Sequence, residues 1–156
     1  MGIVTYKKSI ITLLFFLLFS PVVLNAAIYK TYTQWETDAL FVAWLIDRYV
    51  EKDSKFVVTE KGTFIEAKYA INTPNSRFRR SAKETAFESA LRIFNIHNGC
   101  TDILIPIIRI LELAPWRKSE YTHVLTFEND IMTRLKQQDI SAAFDYIDSY
   151  CKENEK

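Results

Sequence analysis

Thr33–Lys52, TQWETDALFVAWLIDRYVEK, decides what kind of domain this chain can build. Thr33 and Glu36 stand at capping-box spacing, T-x-x-E, ahead of a long run of apolar residues at helical intervals. The run predicts a helix from Thr33 to near Lys52. Its wheel, at about 100° per residue, carries two anomalies. Asp38 falls in the apolar stripe beside Val42, Leu45 and Tyr49, while Leu40, Phe41 and Trp44 fall on the face of Glu36, Asp47 and Glu51. A carboxylate on a buried face must be paired, hydrogen-bonded or protonated. Aromatic residues on a polar face either pack beneath a neighbouring segment or form a partner surface, here Leu40, Phe41 and Trp44.

Upstream of this helix the chain reads as a secretory leader. Lys7 and Lys8 precede an apolar stretch, Ser9–Leu24, and no acidic residue occurs before Glu36. Leu24-Asn25-Ala26 offers a small residue for cleavage, so residues 1–26 are expected to be a signal peptide and residues 27–156 the mature domain. Leu24 is larger than the small-x-small rule prefers, which leaves an uncleaved anchor as the alternative. The apolar run is short for a spanning helix, which needs about 20 residues. Export implies a periplasmic or secreted location, with membrane contact only if the leader is retained.

Cleavage leaves 130 residues with 18 Lys+Arg against 19 Asp+Glu. That length supports one core, and the near-neutral balance gives no case for a nucleic-acid partner. Gly62 and Gly99 are the glycines that remain, so a glycine-rich phosphate loop is excluded. Cys100 and Cys151 are the two cysteines of the chain. In an oxidising compartment they are either one disulfide or two buried thiols.

Downstream, Lys55–Thr59 is β-prone, Glu60-Lys61-Gly62 suits a turn, and Ile65, Ala67, Tyr69 and Ile71 alternate, which predicts a small β-hairpin. Ser81 and Glu84 form another T/S-x-x-E box ahead of Phe87, Ala90, Leu91 and Phe94. Thr101–Leu113 is apolar nearly all round, with an irregularity expected at Pro106, and Pro115–Ser119 reads as a linker. Helices near Glu120–Gln137 and Ile140–Lys152 follow, the second capped by Asp139. The fold class is α+β, a mainly helical single domain.

Glu128 repeats the Asp38 anomaly among Val124, Met132 and Leu135. Asp38, Arg48 and Glu128 could line a buried polar pocket, or each could be satisfied separately. Arg77, Arg79 and Arg80 precede Ser81, where a helix dipole disfavours cations; an anion held by the guanidiniums and free N–H groups would offset that. The arginines with Ser81 are therefore the candidate site for a small oxyanion, and a solvated basic loop is the alternative. His97 and His123 lack partners at metal-ligand spacing, and His123, Asp130 and Arg134 suit a salt-bridged helix edge. No motif for a nucleophile, a metal or a cofactor occurs, so the reading leans away from an enzyme.

Trp35–Val50 also resembles the opening motif of the chromate-resistance domain family, at Asp38, Ala43, Trp44, Leu45, Ile46, Arg48 and Tyr49. Phe56, Phe64, Thr85-Ala86-Phe87-Glu88 and Ala142–Tyr150 follow in the family's order. The resemblance implies a role in chromate resistance, in exported forms or fused to cytoplasmic regulators. Where the family carries a His and a Cys before its Phe-Glu pair, this sequence has Arg80 and Thr85. Arg80 keeps positive charge but neither titrates near neutrality nor binds metal. Export counts against the regulator role.

Overall fold

The computed structural model describes residues 26–136 and 139–155; the leader expected over residues 1–26 lies outside that range apart from Ala26. The elements run β1 Ile28–Tyr32, α1 Thr37–Leu45, a π-helical turn Ile46–Val50, β2 Lys55–Thr59, α2 Ala86–Phe94 and α3 Gly99–Leu113. A 3-10 turn Pro115–Glu120, α4 Thr122–Lys136 and α5 Ile140–Asn154 complete them. The α+β, mainly helical reading is correct. α3 continues through Pro106 as one helix, the expected linker is the 3-10 turn, and Asp139 caps α5 by accepting the Ala142 N–H.

The expected hairpin is not present. β2 instead pairs in parallel with β1, Ile28 opposite Lys55 and Tyr32 opposite Thr59, so α1 is the crossover of a β-α-β unit. Burial does not alternate beyond Gly62. Ile65 is buried and Ala67 exposed, and only Tyr69–Ile71 meets β1, through Lys30 N–H to Tyr69 O at 2.8 Å and Ile71 N–H to Lys30 O at 2.9 Å. β1 buries Tyr29 and Thr31 between both partners, Tyr29 stacking on Phe56 of β2 at 5.8 Å between ring centroids and meeting Tyr69 edge-on at 5.7 Å.

α1 starts four residues later than its first box suggests. Thr33 lies in the left-handed region, φ 65°, which ends β1 and takes its side chain away from a helix start. From Thr37 to Leu45 every residue of α1 is buried. Leu40, Phe41 and Trp44 are therefore core and not a partner surface. The wheel assumed one face in water, but α1 is wrapped on all sides. Phe41 stacks on Phe127 at 5.9 Å and meets Phe87 at 5.7 Å, which ties α1 to α4 and α2. Cys100 and Cys151, both buried, form a disulfide between α3 and α5.

Candidate functional site

α2 begins at Ala86, five residues after Ser81. The box that forms is the next T-x-x-E in the chain: Thr85 Oγ1 accepts the Glu88 N–H at 3.1 Å and Glu88 accepts the Thr85 N–H at 3.0 Å. Ser81 Oγ accepts the Lys83 and Glu84 N–H groups and builds a turn. The two foremost helical N–H groups, which have no partner inside a helix, meet Asp38. Ala86 N–H donates to Oδ2 at 2.7 Å and Phe87 N–H to Oδ1 at 2.8 Å. The Asp38 carboxylate thus fills the anion site at the start of α2. This explains why an acid sits in the apolar stripe of α1.

Around this centre the charges are interlocked. Arg80 pairs with Glu112, and its N–H donates to Asn72 Oδ1 at 3.4 Å, while Asn72 reaches Glu36 at 3.3 Å. Arg109 binds Glu88 at 2.7 Å and Arg92 binds Glu84. Arg80 and Thr85 each serve the Asp38 centre in a different way. Thr85 closes the helix start and Arg80 supplies a cation whose field acts on Asp38.

Burial pushes the Asp38 carboxyl above its ordinary value, against the Ala86 and Phe87 N–H groups and Arg80. Burial raises Glu112 as well, reinforced by the Asp38 charge and opposed by Arg80. A raised carboxyl holds its proton more tightly folded than unfolded. Each group therefore contributes stability at low pH that is lost as pH rises from the ordinary carboxylate range through the raised value. Urea midpoints between pH 3 and pH 7 check this: the native-minus-Glu112→Gln difference is expected to shrink as pH rises. A difference that grows with pH would contradict the assignment.

The three residues expected to line a buried polar pocket are dispersed, so that pocket does not form. Arg48, in the π-helical turn, donates to Asp148 at 2.8 Å and Asp145 at 3.0 Å, pairs with Asp47, and lies over Phe144. Trp44, one turn earlier, donates its indole N–H to Asp148 at 2.7 Å, so the pair fastens α1 to α5. Glu128 is only partly buried and pairs with Lys118 of the 3-10 turn. The sequence held no spacing that announced these partners, which are 100 or more residues apart for Arg48 and Asp148.

The arginine cluster is also divided. Arg80 is committed to Glu112, and Ser81 is away from any helix start. Arg77 and Arg79 flank buried Phe78 and are both exposed. Arg79 donates to Pro74 O at 2.9 Å and Arg77 lies over the Phe78 ring. Neither has a carboxylate partner among the described residues, in contrast to Arg48, Arg80, Arg92, Arg109 and Arg117. No group of metal-ligating side chains occurs among the described residues.

No curated protein and no solved structure matches the chain. The sequence profile described as ChrB, C-terminal domain, matches residues 29–151, from the second residue of β1 to the disulfide cysteine of α5. That span takes in the β-α-β unit, the Asp38 centre and all five helices. The chain belongs to the ChrB C-terminal domain family, a chromate-resistance family.

Proposed function

We propose that this protein is an exported, non-enzymatic accessory of chromate resistance that holds an oxyanion on Arg77 and Arg79. The observation that carries the reading is the pair of exposed arginines on either side of buried Phe78, with no carboxylate partner among the described residues where most other arginines are paired. Guanidinium forks match the oxygens of a dianion such as chromate and need no metal to bind one. The helix start of α2 takes no part, because Asp38 and Thr85 already satisfy its N–H groups. Arg80 serves that centre through Glu112 and leaves its neighbours to the ligand. The leader and the Cys100–Cys151 bridge both suit an oxidising compartment outside the cytoplasm.

Isothermal calorimetry with chromate, sulfate and phosphate tests the reading. Chromate is expected to give saturable heat, and the double variant Arg77→Ala, Arg79→Ala is expected to weaken it at least about tenfold. No heat with any of the three anions, or binding unchanged in the double variant, would remove the oxyanion site.

A further inference from the structure

β2 has β1 as its one partner strand, and its other edge is open among the described residues. Lys55 N–H donates to Ala27 O at 2.8 Å and Thr59 O accepts the Thr33 N–H at 2.9 Å. Lys55, Val57 and Thr59 therefore turn their backbone groups toward β1, and the alternation of a strand turns those of Phe56 and Val58 outward. No backbone group of the described residues meets them. The five pairs run in unbroken register, with no proline or bulge to blunt the free edge.

A cavity of about 520 Å³ adjoins this edge, where β2 ends beside α4 and the start of α5. Val58 belongs to its wall together with Trp35, Met132, Leu135, Lys136 and Ile140. Phe56 and Val58 share the sheet face turned to the helices, Phe56 meeting Phe144 of α5 at 5.6 Å between ring centroids. A strand laid along β2 sets one residue directly opposite Val58, and the side chain of that residue falls on the same face. It points at the cavity.

We propose that the β2 edge binds an extended segment of a partner protein by strand addition, the residue opposite Val58 carrying a large apolar side chain into the cavity. The four outward groups of Phe56 and Val58 specify a strand, and the apolar wall specifies the side chain. Lys136 is the one charged residue of that wall, which favours an acidic neighbour on the segment. A second copy of this chain fits less well. Using all four groups in a two-fold pair sets Phe56 of one copy opposite Val58 of the other. The Phe56 ring is already held by Tyr29, Trp35 and Phe144, so the cavity stays unfilled. The arginine pair takes no part in this surface, so the oxyanion site and the strand edge stand or fall separately.

Selection of a phage-displayed library of random peptides on the purified full chain supplies the probe, and the enriched peptide is synthesised for titration. Val58→Pro removes one outward N–H and spares every bond to β1. Met132→Trp fills the cavity. The expected result is a peptide with a large apolar residue whose affinity falls about tenfold in each variant. Bound to the native chain, it slows amide exchange at Phe56 and Val58. Should Val58→Pro fail to fold, Met132→Trp and the exchange rates carry the same test. No enriched peptide, or one that binds both variants as it binds the native chain, overturns the inference. Light scattering that finds the native chain dimeric and Val58→Pro monomeric assigns the edge to a second copy and overturns it as well.

Discussion

Asp38→Ala is expected to lower the stability of the domain by about 3–5 kcal/mol, among the largest effects available to one substitution here. The change removes both acceptors from the Ala86 and Phe87 N–H groups in a site with no access to water. It also takes away the carboxylate that the Arg80 charge favours, although it relieves the repulsion between Asp38 and Glu112. Asp38→Asn keeps the shape but turns one acceptor into a donor facing an N–H group, so it should recover only part of the loss. Urea unfolding of the two variants checks the order, native above Asn above Ala. A loss below about 1 kcal/mol for Ala would mean that the carboxylate is not what holds the start of α2.

Removing the disulfide is expected to cost about 4 kcal/mol, the chain-entropy value for a bridge between residues 51 apart. Cys100 and Cys151 join α3 to α5, so the loop they close contains the 3-10 turn and α4. The double variant Cys100→Ala, Cys151→Ala should unfold at lower urea than the native chain. Adding reductant should shift the native chain and leave the variant where it is. If reductant moves both midpoints equally, the bridge is not the cause.

What the sequence disclosed followed from local chemistry. α4 and α5 were legible from their periodicity and Asp139 from its position before α5, while the Cys100–Cys151 bridge was one of two readings that two cysteines allow. Asp38 was legible as an anomaly because burial makes demands on a carboxylate whatever its partner. Its partner was not legible, since a start at Ser81 and a start at Ala86 both satisfy the same four-residue box. Packing chose the second, where Asp38 could reach the N–H groups.

The failures share a physical origin in long-range burial. Leu40, Phe41 and Trp44 read as packed beneath a neighbour or as a partner surface because a wheel divides a helix into two faces, and α1, which has no wet face, leaves only the first. β1 escaped notice because its partner β2 lies beyond a whole helix, and parallel pairing leaves no turn signature between strands. The segment after Gly62 had an alternating pattern but lost the competition for a strand edge. The arginine run looked like one site until Arg80 was claimed by Glu112, which no local rule anticipates.

Export underlies the proposed role and suits the bridge, and one measurement addresses it. The chain is produced with its own leader, recovered by compartment, and weighed intact after alkylation under non-reducing conditions. The account predicts protein outside the cytoplasm, beginning at Ala27, with Cys100 and Cys151 refusing the alkylating reagent until reduced. Chain recovered from the cytosol with Met1 in place and both thiols alkylated at once would contradict it.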